Sequence, residues 1–422
     1  MKVKSEFSRN ILTLMTGTTI AQAIPIAISP ILTRIYTPED FGVFAFFIAI
    51  VAIFSSISSA RYEQAILLPM SEENALHVFA LGFVILSFIS LFLLLTIFIV
   101  NDFVVSLLPS TEIVFFIYFI PITVFFVGLF NLLSYFNNRK KLYSDISKAT
   151  VLKAVVLAVV QIVIGLVKEG ASGLITGQIL SQIVANVKLA KNVFLHKDLR
   201  AIFDIKSMWT LSKEYIDFPK YQVPHVLFST LSSNLPIYLF TLFFSSLVTG
   251  LYALAIRIVL SPMMIIAGSS AKVYNEQLSK LYENREDTYG FTLQFLKSLG
   301  MKVMVFIVLI ALFAPDIFAF VFGESWREAG EYTRLLSPWL FLNVMVSSVA
   351  FIPSIVGKQK KAFLMSIVQL ILTLSAIGIG VFYESVEVAL IAYMLVNSLV
   401  LMYNLIWFVQ ALKFPLYEEC QR

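Results

Sequence analysis

Long apolar runs recur along the whole chain, near residues 11–33, 42–60, 77–100, 114–136, 149–167, 172–194, 222–244, 247–269, 298–321, 335–356, 362–383 and 387–411. Each is continuous rather than alternating, which excludes the strands of a transmembrane barrel. Each is also close to the roughly 20 residues that cross a hydrocarbon core as a helix. The series is broken once. Between Asn192 and Lys220 the text turns polar and carries Lys197, Arg200, Lys206, Lys213 and Lys220. Six runs lie on either side of this stretch. The pattern therefore predicts an all-α integral membrane protein of twelve transmembrane helices: an N-terminal six-helix lobe over 1–195, a connector over 196–220 and a C-terminal six-helix lobe over 221–422.

The two halves share short signatures. Gln22 stands ahead of Pro25, and the next run opens Gly42-Val43-Phe44-Ala45 before ending at Tyr62-Glu63-Gln64. In the second half Asn234 stands ahead of Pro236, and the next run opens Gly250-Leu251-Tyr252-Ala253 before reaching Tyr274-Asn275-Glu276-Gln277. The offset is 250 minus 42, or 208 residues. An even number of spans per repeat gives both repeats one orientation, as in transporters whose halves are related by an axis along the membrane normal. Pro25, Pro30, Pro236 and Pro262 fall inside runs, where each could kink a helix.

Composition agrees with the pattern. Of 422 residues 59% are hydrophobic and 14% charged, against about a quarter charged in soluble domains. The opening MKVKSEFSRN leads into the first run without a small-residue cleavage site, so that run reads as a retained span. The placement of charge tells more than the net +5. About 26 of the 31 basic residues fall on the side of the N-terminus, connector and C-terminus, and Arg34, Lys168, Arg327 and Arg334 fall on the other, so both termini are expected in the cytoplasm of a bacterial inner membrane. Basic clusters at Arg139 to Lys141, Lys272 to Lys302 and Lys358 to Lys361 are read as cytoplasmic loops. The lone Cys420 forms no internal disulfide, and His77, His196 and His225 are too scattered for a metal site. No cofactor is expected.

Arg257 is the sharpest chemical signal. It lies near the middle of the eighth run, roughly 15 Å of helix from either end, beyond the reach of snorkelling. Insertion scales put a charge at that depth at about +2.5 to +3.5 kcal/mol, so it faces a hydrated cavity or bonds to neighbouring carbonyls for structure alone. No acidic residue lies at comparable depth. Other polar groups fall in stripes: Gln178, Gln182 and Asn186 on the sixth span, Lys153 and Gln161 on the fifth, Thr16, Thr19 and Gln22 on the first, and Ser229, Ser233 and Asn234 on the seventh. In membranes such amides and hydroxyls serve as interhelical glue or as ligand contacts. Lys153 and Lys188 read as close enough to the interface to be anchors. Phosphate-loop and paired-carboxylate patterns are absent from the sequence, which argues against ATP hydrolysis and hydrolytic chemistry. What remains is a cationic, polar interior suited to an anionic or sugar-rich group.

LTRIYTPEDFG (Leu32 to Gly42), RYEQAILLP (Arg61 to Pro69), NNRKKLY (Asn137 to Tyr143), VFGESWREAGEY (Val321 to Tyr332), LSPWLF (Leu336 to Phe341) and FIPSIVGKQKK (Phe351 to Lys361) resemble stretches of the Wzx-type O-antigen flippases. Those belong to the multidrug/oligosaccharidyl-lipid/polysaccharide exporter superfamily. The resemblance implies twelve helices in two V-shaped bundles. It also implies alternating-access movement of an undecaprenyl-diphosphate-linked oligosaccharide between leaflets, with the lipid bilayer and polysaccharide polymerase machinery as partners and no nucleic acid. On that reading Arg257 contacts the diphosphate or sugar, Lys153 assists, and Arg61 either attracts the head group or pairs with Glu63 as a plain anchor. Two rivals stand beside it. A multidrug cation antiporter would want an acidic cavity, and a membrane polymerase would want a large periplasmic loop.

Overall fold

Helices form where the apolar runs predict them. A computed structural model describes residues 2–100, 105–106, 111–194 and 204–413; the readings made at His196, Lys197, Arg200 and Cys420 fall outside these residues. In order the helices are α1 (Lys2–Ala27), α2 (Ser29–Ile35), α3 (Pro38–Ile57), α4 (Tyr62–Ala65), α5 (Glu72–Ile99), α6 (Thr111–Ile117), α7 (Ile120–Arg139), α8 (Tyr143–Gly165) and α9 (Ser172–Phe194). They continue with α10 (Ile205–Glu214), α11 (Val223–Phe243), α12 (Ser246–Glu283), α13 (Thr288–Phe322), α14 (Arg327–Ser348), α15 (Ile352–Ile355), α16 (Gln359–Phe382) and α17 (Val386–Ala411).

Eleven stretches among the described residues are long and apolar enough to cross a membrane. The expected sixth span is also helical, as the 23-residue α9, but Gln178, Gln182, Asn186 and Lys188 dilute its hydropathy. With α9 included, the order follows the twelve-helix series read from the sequence.

Two expectations change. The basic stretch from Lys272 to Lys302 is not a loop: α12 and α13 run to 38 and 35 residues, longer than a bilayer needs, and turn only at residues 284–287. There Arg285 takes a left-handed φ of 59°, and the Asp287 carboxylate accepts from Gly290 N at 2.8 Å. Of the four prolines, Pro25, Pro236 and Pro262 lie inside continuous helices. Only Pro30 coincides with a break, in the first turn of α2. Membrane helices carry such prolines because neighbouring groups take up the freed carbonyls.

Packing divides the chain into Met1–Gly250 and Leu251–Arg422. The sequence reading places its boundary at the connector; the difference is α11, which follows the connector and lies along α3. In the first unit α8 and α9 form an antiparallel hairpin, α1 packs on α8, and α7 is flanked by α3, α5 and α9. Two of its core clusters are large. One gathers Tyr62, Ile66, Phe79, Phe136 and Leu211, and the other Val43, Phe46, Phe116, Val124 and Ile175. In the second unit α14 lies between α13 and α17, and α16 pairs with α17.

The internal repeat has a physical counterpart. A Cβ on Gly42 would stand 1.7 Å from Ser246 O, and one on Gly250 would stand 1.8 Å from Pro38 O. Ser246 and Pro38 are themselves 246 minus 38, or 208, residues apart. The two contacts therefore exchange under the offset that relates the glycine signatures. Each glycine admits the backbone of the other repeat's helix start, as small residues do where membrane helices cross closely.

Candidate functional site

Most stretches that carry the resemblance turn out to be helix ends. Thr37 and Asp40 cap α3 reciprocally, Thr37 N donating to the carboxylate at 2.9 Å and Asp40 N to the hydroxyl at 3.3 Å. The Tyr36 hydroxyl donates to Gln161 O at 2.6 Å. Burial, with the charge of Asp40 adding to it, pushes that phenol up to about 12, so it stays a donor at physiological pH. Arg139 wraps the loop before α5: Nη1 donates to Ile66 O and Leu67 O at 3.1 and 3.2 Å, and Nη2 to Pro69 O and Ser71 O at 2.6 and 3.1 Å. A lysine has no planar fork to span these four carbonyls. Arg139→Lys is expected to cost on the order of 3 kcal/mol, read as a lower melting temperature and faster proteolysis between residues 66 and 71.

Arg61 occupies a left-handed turn with φ of 65°. Its Nη1 lies 3.1 Å from the Glu63 carboxylate, which is buried and also accepts from the Ser59 hydroxyl. Of the two readings held for Arg61, this geometry draws the pair with Glu63.

Lys153 sits farther along its helix than expected. Because α8 begins at Tyr143 rather than near residue 149, the lysine is about 15 Å along the helix, near its midpoint. Its ammonium lies 4.2 Å from the Phe130 ring centroid on α7, and among the described residues no carboxylate pairs with it. One turn away on α7, Phe126 O accepts from Asn186 Nδ2 at 2.8 Å. Gly165 lies against Gly173 and Gln161 against Gly177, a register that sets Lys153 level with Ala185, between Gln182 and Asn186.

Gln161, Gln182 and Asn186 are all buried, and each leaves its side-chain carbonyl without a donor. Gln161 Nε2 donates to Leu174 O at 3.2 Å, tying α8 to α9. Gln161→Leu strips Leu174 O of that donor and is expected to cost about 0.6 to 1.7 kcal/mol, measured by thermal unfolding in detergent. Gln178 is half-buried, and Gln22 is exposed on α1. Asn234 donates to Thr230 O on its own helix at 2.9 Å. The first unit thus brings Lys153, Gln182 and Asn186 together around α7, joins Gln161 to the same hairpin, and leaves Arg61, Gln22 and Asn234 apart from them.

In the second unit Arg257 lies within the apolar stretch Ser246–Ile265 of α12, about 16 Å from its start. At 100° per residue it is turned about 140° from Tyr252, whose buried ring meets Tyr393 of α17 edge-on at 6.4 Å. The guanidinium is therefore off the face that carries this contact, and the residue as a whole is half-buried.

Sequence reasoning missed the polar interior of α16 and α17. Asn397 Oδ1 accepts from Gln369 Nε2 at 3.0 Å and from Thr373 Oγ1 at 3.2 Å, while its Nδ2 donates to Tyr393 O at 3.0 Å. The four-residue spacing of Gln369 and Thr373 was the available signal.

Among the described residues, eleven apolar stretches of spanning length and the helical α9, with amides buried between helices, define a multi-pass membrane protein. The chain belongs to the polysaccharide biosynthesis protein family, whose profile matches residues 31–331. Its fold is similar to the lipid II flippase MurJ in an inward closed conformation (TM-score 0.73, 12% identity, 95% of this chain and 89% of that one). It is also similar to an inward-facing multidrug resistance transporter of the MATE family and MOP superfamily (TM-score 0.67, 17% identity, 95% and 96%). A third likeness is to a MOP superfamily transporter from Pyrococcus furiosus noted for the reverse polarity of its binding pocket (TM-score 0.60, 16% identity, 96% and 96%). At these identities the likeness carries the fold alone. No curated protein matches the sequence.

Proposed function

We propose that the protein is a flippase that moves an undecaprenyl-diphosphate-linked oligosaccharide, an O-antigen or capsule repeat unit, from the cytoplasmic to the periplasmic leaflet of a bacterial inner membrane. The observation that carries this is Arg257, a charged, half-buried residue near the middle of an apolar helical stretch in a chain of a polysaccharide biosynthesis family. A diphosphate is the part of such a cargo that must be drawn from water into the membrane. Guanidinium meets it with a planar fork of donors. The lysine-rich side holds the termini in the cytoplasm, and two six-helix lobes joined by the connector supply the alternating access. The reading makes the protein a transporter rather than an enzyme.

Lys153 supplies a second cation, near the middle of its helix. The buried amides of α8 and α9 fix the hairpin that holds it, and Arg61, neutralised by Glu63, shapes the turn after α3. A cation antiporter is disfavoured, because an arginine so far along its span repels such substrates and the spans carry no acid at that depth. Expression in cells that lack their own O-unit flippase tests the proposal. Restored surface polysaccharide is the expected result. Resistance to cationic drugs without restored polysaccharide, with the protein present in the membrane, would overturn it.

A further inference from the structure

Helix α10 has one face packed and a second, apolar one left uncovered. Met208 and Leu211 are buried, Met208 against Leu76, Ala80 and Leu81 of α5, and the Tyr62 hydroxyl donates to Ser212 O at 2.9 Å. Helix α5 begins at Glu72, so the residues that hold α10 stand about 6 to 14 Å along a membrane span from its first residue. That is close to the depth of about 5–10 Å at which amphipathic helices rest in the boundary between head groups and acyl chains.

Farther round the helix, Ile205 and Trp209 are 82% and 63% exposed, and Ile216, just beyond the helix end, is 50% exposed. Lys206 and Lys213 flank this stripe on the side away from the packed face. Lys213 Nζ lies 5.1 Å from the Trp209 ring centroid, and Lys220 repeats the arrangement at 5.0 Å from the exposed Tyr221. Thr210 and Glu214 come next, and the Asp204 carboxylate is engaged in capping the helix, accepting from Ser207 N at 3.0 Å. Asp217 sits in the turn that follows. Going round the helix from the packed face, the order is protein core, apolar stripe, lysines, neutral and acidic groups. The same order is met passing from a membrane protein's flank through acyl edge and phosphate layer into water.

We propose that this stripe is a docking surface for anionic phospholipid. Ile205, Trp209 and Ile216 rest at the acyl edge, and Lys206, Lys213 and Lys220 bind the head-group phosphates. Ten residues would not stay helical on a membrane unaided. Packing on α5 supplies the order, and the lipid covers the face that packing leaves bare. The connector is thereby fastened to the bilayer as well as to the first unit. Nothing in this depends on the cargo.

The test uses the full chain in vesicles and takes the Trp209 signal as the difference between wild type and Trp209→Phe, the other three tryptophans cancelling. Lipids brominated at shallow acyl positions are expected to quench it and aqueous iodide is not. At equal mole fraction, brominated phosphatidylglycerol is expected to quench it about fivefold more effectively than brominated phosphatidylcholine, the ratio that about 1 kcal/mol from one lysine gives. Combined Lys206→Gln, Lys213→Gln and Lys220→Gln should remove that preference and leave the phosphatidylcholine value unchanged. Quenching by iodide and not by lipid overturns the proposal, as does equal quenching by both lipids in the wild type or insensitivity to all three quenchers.

Discussion

Arg257→Ala abolishes restored surface polysaccharide at wild-type protein levels, and Arg257→Lys retains part of it. The alanine removes a charge-assisted donor fork, each bond of which is worth about 1.5 to 3 kcal/mol. Two such bonds to a diphosphate at the point of highest membrane cost correspond to a rate loss on the order of a hundredfold or more. Lysine keeps the charge as a single point and loses the fork, so it lowers the barrier less. The check is immunoblotted surface polysaccharide normalised to membrane-inserted protein. Full activity of the alanine variant removes Arg257 from the mechanism. Loss of protein in both variants assigns the arginine to folding instead.

The second large effect concerns stability, and the same chemical change has opposite signs at two places. Gly42→Ala puts a methyl group 1.7 Å from Ser246 O, where only backbone movement can make room. Overpacking of this kind costs roughly 1–3 kcal/mol or more. Gly378, inside α16, has nothing within 4 Å of its would-be Cβ. There alanine contributes about 0.5–1 kcal/mol of helix stability. Thermal unfolding of the purified variants should therefore move down for Gly42→Ala and up for Gly378→Ala. Gly250→Ala, which meets Pro38 O from the other repeat, should match Gly42→Ala in direction and size. A neutral result at Gly42 would mean that the two helix starts do not cross at backbone contact.

How much of this was legible beforehand differs from element to element. The spans were legible because a continuous apolar run of membrane length has one stable form in a bilayer, and even α9, diluted by its amides, keeps that length. The paired glycine signatures were legible as an offset but not as a contact, since nothing local says what a glycine must admit. Helix ends were misplaced where polar residues prolong a helix into water. This made a loop of the α12–α13 hairpin and started α8 too late, at residue 149 rather than Tyr143. The stretches carrying the resemblance were mostly caps and turns: the Thr37–Asp40 box, the Arg139 clamp, and the Gly323 turn with φ of 108° beside buried Trp326. They mark the fold well and the cargo poorly. The cation at depth was found from its cost alone. The Asn397 network escaped because its partners lie on two helices, 28 and 24 residues apart, a contact that no local spacing shows.

The account depends on water reaching the α12 helix at residue 257. The direct measurement is thiol labelling of Arg257→Cys, in a chain whose Cys420 is replaced by serine, in intact vesicles with a charged, membrane-impermeant reagent. The account predicts labelling at native pH, without denaturant. A thiol that reacts only after denaturation would contradict it.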